Sequence, residues 1–309
     1  MRKTCLDMVY ALAQQDERIF FIGSDLGFET LQAFKTQIPE RFFMEGVSEA
    51  HVIGMAAGLA LEGKVVYVNT IATFITRRCF EQVALDLCLH NLPVRLIGNG
   101  GGMVYAPLGP THEAIEDIAI FRALPHMTIV APADAEEMRR LMPQTADYPG
   151  PMYIRIAKGG DPVVTDSRRP FEIGKAYLMR PGTDALLVST GVMLKPALDA
   201  ANKLAEKQVR AAVLHVPTVK PLDTQTLLDC AGKVPVVVTL EEHSVVGGLG
   251  SAVAEALAEA NFAAPKRFCR LGLPDVYPDQ YGSQASLMAR YGLTADGAAA
   301  AVLALAGKV

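Results

Sequence analysis

Two α/β domains, each built on a parallel sheet, are predicted by this sequence on three observations. Up to about residue 160, short apolar runs alternate with amphipathic stretches. Between Gly159 and Asp184 the alternation gives way to glycines, prolines and turn residues. After Asp184 it resumes and continues to the C-terminus. The runs are apolar throughout rather than at every second residue. That marks strands buried on both faces, with crossover helices as the cover. A chain of 309 residues suffices for two domains of ordinary size, placed at 1–160 and 184–309 with a linker at 161–183.

Taken in order, a helix expected at Thr4–Gln15 leads into a buried strand and turn, Ile19–Asp25. A helix at Ser48–Leu61 precedes the apolar run Lys64–Thr70, and an amphipathic helix follows at Thr76–His90. The strand Pro93–Asn99 opens a glycine-rich loop, Gly98–Gly102. Glu113–Leu124 reads as helix, MTIVAP as strand, and Asp134 as the cap of a helix reaching about Ala146. PMYIRIAKGG closes the first series, and the linker holds one short hairpin at Phe171–Met179. In the second domain DALLVST, VRAAVLHV, VPVVVTL and KRFCRLG are the expected strands. Its helices are expected at Lys195–Lys207, Leu222–Ala231, Leu249–Ala260 and Ala295–Leu305. Ligands of open parallel sheets bind beyond the carboxyl ends of the strands. Asp25, Thr73, the glycine-rich loop and Lys158 all follow predicted strands.

Composition narrows the function classes. Half of the residues are apolar and a fifth are charged, a globular balance. The net charge of -4 and the lack of a basic run argue against a nucleic-acid partner. The N-terminal apolar run is broken by Asp7, Gln14, Gln15, Asp16 and Glu17 too early for a signal peptide. No window has the unbroken apolar length of a membrane span. The five cysteines are scattered and form no C-x-x-C pair, which points to reduced thiols and a cytoplasmic location.

The chain is organised around Arg41–Gly63, RFFMEGVSEAHVIGMAAGLALEG. Gly54, Ala56, Ala57, Gly58 and Ala60 suit a helix that another helix can approach closely. Ser48 can cap its start, and Glu49 then falls in the first turn, the favourable end of the dipole. Alone, that describes a first-turn acid on a surface helix. The order of residues says more: GVSEAHVIGMAAGLALEG resembles the pyrimidine-domain signature of thiamine-diphosphate enzymes of the transketolase and deoxyxylulose-phosphate synthase group. The resemblance implies that Glu49 touches the aminopyrimidine ring of the cofactor. A carboxylic acid bonded to the far ring nitrogen favours the imino tautomer, whose exocyclic nitrogen takes the proton from C2 of the thiazolium. The cofactor supplies the chemistry and the protein supplies proton placement. Burial of such a glutamate in an apolar interface disfavours its charged form.

The same resemblance assigns further residues. Phe74, in IATFITRRCFEQ, matches the aromatic ring that stacks on the aminopyrimidine; otherwise it is a core residue. The pair Arg77–Arg78 holds one arginine matching the synthase-like members, assigned here to Arg77 on the cofactor side; the other reading is a solvated helix start. Asp25, in GSDLG, matches the aspartate after the first strand that lines the cofactor pocket, or is a plain helix cap. His112, in GPTH followed by EAIEDIAIFRALP, matches the histidine that contacts the sugar near its reacting carbons, where an imidazole can move protons near neutrality. Lys158 lies where members acting on phosphorylated sugars place an arginine, and could meet a phosphate as a point charge. The glycine-rich loop could offer N–H groups to an anion, or only permit a tight turn. His51, His90 and His126 read as surface or satisfied groups. His243, in EEHSVVGGLGSAV, shapes a loop near the interface in the resembled C-terminal domain.

Nearly the whole chain carries the resemblance, but the diphosphate-binding domain is missing. Its Gly-Asp-Gly motif ending in Asn holds the divalent ion; the nearest string here, Gly159-Gly160-Asp161-Pro162, has the wrong order. The resemblance therefore implies the C-terminal subunit of a split transketolase. It would bind thiamine diphosphate and Mg²⁺ with an N-terminal subunit, expected as α2β2 around a homodimer core, with Gly54–Gly58 in the contact. The expected reaction moves a two-carbon ketol unit from a ketose, expected to be a sugar phosphate, to an aldehyde. Two departures touch the donor. Leu108 replaces an acid before GPTH, and the run Gly100–Gly102 replaces an upstream histidine. Both remove groups that grip donor hydroxyls, so an unusual donor is expected. The other readings are a decarboxylating synthase, a 2-oxoacid dehydrogenase β-subunit and a scaffold that has lost activity. GPTH favours the ketol-transferring side over the dehydrogenase, and Glu49, Phe74 and His112 together speak against the scaffold.

Overall fold

The computed structural model describes residues 1–24 and 31–307. The N-terminal half builds a sheet from β1 (Ile19–Gly23), β2 (Phe42–Met44), β3 (Val65–Ile71), β4 (Val94–Asn99), β5 (Thr128–Val130) and β6 (Met152–Ile156). These strands run parallel in the order β5-β6-β4-β3-β1-β2. All seven residues of β3 and all six of β4 are buried, as strands covered on both faces require. One face packs against Leu6, Val9 and Phe34, the other against Val52, Ile53 and Leu87.

The second sheet comprises β7 (Tyr177–Arg180), β8 (Ala185–Ser189), β9 (Ala211–His215), then β11 (Val236–Ser244) and β12 (Arg267–Leu273) after the short β10 (Thr218–Lys220). Its order is β12-β11-β8-β9-β7, parallel except for β7 on β9. Two strands depart from the sequence reading. β10 crosses over and pairs antiparallel with β5, extending the first sheet to seven strands. The hairpin expected at Phe171–Met179 does not form: Tyr177–Arg180 pairs with β9, while Phe171 packs into the first core. An edge strand pairs with whichever free edge lies opposite it, and no periodicity names that edge.

Helix boundaries hold within a residue or two across the second domain, where Asp223 and Thr294 supply side-chain caps. A helix at Gln284–Arg290, capped by Ser283, was not anticipated. In the first domain Asp134 caps the helix Ala135–Thr145, accepting from the Glu137 N–H. The single helix expected at Thr76–His90 is instead three pieces: Ala72–Arg77, Phe80–Gln82 and a π-helical stretch, Val83–Leu89. The helix expected at Glu113–Leu124 shrinks to Asp117–Arg122. Ala114 bridges to Gly101 and Gly102 instead, and the Glu116 carboxylate accepts from the Ile115 N–H.

The glycine-rich loop is built for close packing. Gly100 and Gly101 donate to the Ile156 carbonyl at 2.9 and 3.1 Å, and Gly102 to Ala114 at 2.9 Å, so none of these N–H groups is left for an anion. Gly100 and Gly102 are left-handed, at φ +74 and +75. A Cβ at Gly101 would fall 2.6 Å from Arg155, and one at Gly102 would fall 2.4 Å from Glu242.

Those neighbours join the two halves of the molecule. Arg155 Nε and the Tyr153 hydroxyl both donate to Asp117 Oδ2, each at 2.7 Å. Arg155 Nη2 donates to the carbonyls of Ala114 and Glu242, at 3.1 and 2.9 Å. His243, buried as part of β11, accepts the Ala119 N–H at Nε2, 3.2 Å away, leaving Nδ1 to donate to Ser244 O at 2.7 Å. Its expected structural role at the interface is what the geometry gives it. The cysteines are free thiols, four buried and Cys269 half-buried. No helix among the described residues is long and apolar enough to cross a membrane.

Candidate active site

The carboxyl ends of the first sheet bring three separate pieces of chain together. Glu49 begins the helix Glu49–Leu61 that follows β2, Phe74 lies on the helix directly after β3, and His112 lies in the long loop that leaves β4. Ser48 stands at the N-cap position, but its hydroxyl donates back to Glu45 O at 3.0 Å and makes no capping bond to the helix. The turn before the helix is thereby pinned, and Glu49 is aimed inward with only 6 % of its surface exposed. Behind it lies a narrow slot lined by Ser24, Val52, Val68, Asn69, Thr70 and Ile75.

Glu49 is buried as expected, but its surroundings are not wholly apolar. Arg78 Nη1 stands 3.1 Å from Glu49 Oε2. The same guanidinium lies over the Phe74 ring, 3.8 Å from its centroid. Phe74 also meets the His112 ring edge-to-face, with centroids 5.2 Å apart at 62°. His112 Nδ1 shares a hydrogen bond of 2.9 Å with Thr111 Oγ1. Glu49, Arg78, Phe74 and His112 thus form one continuous row.

Phe74 and Arg78 line a cleft of about 330 Å³ with Thr73, Arg77, Pro110, Thr111 and Tyr277. Arg77 is fixed there, 3.0 Å from Glu116 Oε1 and donating to Thr111 O at 3.2 Å. Lys158 is exposed and is not among the cleft residues; it belongs to the loop after β6 whose Asp161 lies 3.9 Å from the terminal amine. Asp25 lies outside the described residues. Leu108 is 49 % exposed, and Tyr281 lies where a Cβ on the left-handed Gly109 would come within 2.7 Å of it. Among the described residues, no group of three His, Cys, Asp or Glu side chains has metal-ligand spacing.

Sequence reasoning missed three features. Arg78 was one of two adjacent arginines, and only the helical phase separates it from Arg77. Tyr277 reaches the cleft from the other domain. Third, a pair of buried acids lies behind His112. Burial and the neighbouring Glu242 carboxylate push Glu113 up to about 7, and burial pushes Glu242 up to about 7. Glu242 accepts from the Met103 N–H and from Gln284, whereas neither Glu113 oxygen meets a donor among the described residues. Both values lie above the roughly 4.3 of an unfolded chain. The folded state therefore holds more protons between about pH 4.5 and 7, and stability falls as pH rises through that window. Glu113→Gln is expected to flatten the decline of Tm between pH 5 and pH 8. Melts with an unchanged pH slope would remove Glu113 from that balance.

Comparison with known proteins gives the following. Residues 1–160 match the family of the transketolase pyrimidine-binding domain, and residues 174–297 match the transketolase C-terminal domain. The chain is 38 % identical over 296 residues to the 6-deoxy-6-sulfo-D-fructose transketolase subunit SqwH of Clostridium sp. (strain MSTE9), covering 96 % of this chain and 91 % of that one. It is 36 % identical over 298 residues to an apulose-4-phosphate transketolase subunit of Phocaeicola vulgatus, covering 96 % and 94 %. A solved structure described as a split-gene transketolase, an inactive β4 tetramer, superposes with a TM-score of 0.90 at 36 % identity, covering 99 % of this chain and 98 % of that one.

Proposed function

Because the chain belongs to the transketolase family, we propose that it is the C-terminal subunit of a divided thiamine-diphosphate enzyme that transfers a two-carbon ketol unit from a ketose to an aldehyde. The carrying observation is the pairing of a buried Glu49 with the Phe74 ring across a single flat guanidinium. A planar group that stacks on an aromatic face and donates to a carboxylate already fits between these residues. An aminopyrimidine ring likewise needs an aromatic face to lie on and a carboxyl group at its edge, with which its ring nitrogen shares a proton. When bound, thiamine diphosphate supplies the acidic carbon that breaks and remakes the bond beside the carbonyl.

Each residue then has one task. Phe74 offers its face to the ring. Glu49 bonds the far ring nitrogen and shares its proton there. His112, at the edge of Phe74, moves a proton at the substrate's reacting hydroxyl or carbonyl. Arg77, held rigidly at the cleft, is the candidate for the cofactor side. Lys158 is the candidate for a phosphate on the substrate. Leu108 and the packed run Gly100–Gly102 offer no grip to donor hydroxyls, which favours a deoxy or otherwise modified ketose.

The diphosphate and its Mg²⁺ are assigned to an N-terminal subunit, because relatives matched over more than nine-tenths of their own length are described as transketolase subunits. The open face of the helix Glu49–Leu61 is the proposed contact. Nothing lies within 4 Å of a Cβ position at Gly54 or Gly58, and Val47, Leu61, Leu85 and Leu89 stand exposed around it. An α2β2 assembly is the expected form. Relatives spanned almost end to end by this chain are themselves described as subunits, which favours a divided enzyme over a fused synthase. Calorimetry with thiamine diphosphate and Mg²⁺ tests the division. The isolated chain is expected to bind at least tenfold more weakly than the chain mixed with an N-terminal subunit encoded beside it. Equal, tight binding by the chain alone would refute it.

A further inference from the structure

We propose that Arg78 is a placeholder for the cofactor's ring: in the free subunit its guanidinium occupies the stacking face of Phe74 and the carboxylate of Glu49, and it withdraws when the ring docks. This rests on the thiamine-diphosphate reading above and adds a step to it.

Two contacts made by one planar group carry the inference. The guanidinium is 3.8 Å from the Phe74 centroid and 3.1 Å from Glu49 Oε2. A stacked heterocycle bonded to Glu49 needs both positions, so Arg78 and the ring cannot hold them together. A guanidinium resembles the heterocycle in the two properties that matter here. It is flat and delocalised, and its edge can bond a carboxyl group, the guanidinium by donating N–H and the ring nitrogen by sharing the carboxyl proton. A lysine ammonium would satisfy Glu49 alone.

The neighbouring arginine shows which of the two can move. Arg77 is tied to Glu116 and to a backbone carbonyl, at 3.0 and 3.2 Å. Arg78 has no hydrogen-bond partner other than Glu49 among the described residues, and 47 % of its side chain is exposed. Rotation of its stem carries the guanidinium to water, where hydration compensates the broken ion pair. While in place, Arg78 keeps the Glu49 carboxylate paired and Phe74 covered, so the pocket neither collapses nor leaves a buried charge uncompensated. Docking then exchanges one planar partner of Phe74 and Glu49 for another, and the free energy of the displaced guanidinium is subtracted from the affinity of the subunit for its cofactor.

The test is calorimetric titration of the assembled two-subunit enzyme with thiamine diphosphate and Mg²⁺. Arg78→Met keeps the length of the side chain and removes its charge, its donors and its planarity. The expected result is a Kd about three- to tenfold lower than wild type, the scale of one half-exposed ion pair with a cation–π contact. Arg78→Lys keeps the pair with Glu49 and loses the flat stack, so its Kd is expected between the other two. Circular dichroism of both variants checks the fold. Binding by Arg78→Met that equals or falls below wild type overturns the placeholder while leaving the cofactor reading intact. Failure of the wild-type complex to bind thiamine diphosphate overturns the reading itself.

Discussion

Glu49→Ala in the assembled enzyme is expected to abolish ketol transfer, with a loss of at least 10²- to 10⁴-fold, about what one positioned acid–base group contributes. The fold should survive. Glu49 is the first residue of its helix, its backbone is held by Ser48 and the preceding turn, and its side-chain partner is the half-exposed Arg78. Its loss therefore opens no large cavity and strands no fully buried charge. Glu49→Gln separates proton placement from shape: the amide fills the same space and still bonds Arg78, yet cannot share a proton with a ring nitrogen. Turnover, cofactor affinity and the far-ultraviolet spectrum should be measured on both variants. A near wild-type rate in Glu49→Ala would remove this residue from the chemistry, and with it the main support for the proposed function.

Asp117→Ala is expected to have the largest effect on stability. The Arg155–Asp117 pair is buried, at 2.7 Å, with side-chain exposures of 7 % and 0 %. Taking away one partner of such a pair leaves the other charge uncompensated, at a cost of about 3–5 kcal/mol. For domains of this size that corresponds to a drop in Tm on the order of 10 °C. Arg155 also holds the carbonyls of Ala114, before the shortened helix, and of Glu242, in the second sheet. The loss should therefore loosen the loop that carries His112 as well as the contact between the two halves. Substituting both residues with apolar ones, Asp117→Leu with Arg155→Met, is expected to recover much of the lost stability, because no charge is then stranded. A thermal midpoint for Asp117→Ala within about 2 °C of wild type would show that the pair contributes little.

The candidate residues Glu49, Phe74 and His112 were legible because each sits in a local signal. Glu49 follows a turn and opens a run of small residues; Phe74 follows a strand of seven buried residues; His112 lies in a glycine- and proline-marked loop. The helices of the second domain were legible for the same reason, since capping residues and apolar spacing agree there. Failures came where a partner outside the segment decided the outcome. The helix expected from Glu113 is pre-empted by Ala114 bridging to the glycine run. The linker hairpin yields to an open sheet edge offered by β9. The glycine run could not be divided between anion binding and tight packing until Ile156, Arg155 and Glu242 were found against it.

What the amino-acid order determined alone is the double α/β architecture, the family and the choice of Glu49, Phe74 and His112 as candidates. Each of these depends on residues within a few positions of one another, where strand period, helix period and motif spacing are set. Tertiary structure alone decided that Arg78, 29 residues from Glu49, reaches it while also covering Phe74. It also decided that a strand from the second half completes the first sheet, and that Arg155, buried against Asp117, reaches the Glu242 carbonyl of the second half. The physical reason is range. Periodicity records what a residue's neighbours along the chain will do, whereas a side chain's partner across a sheet is chosen by how whole layers twist and pack.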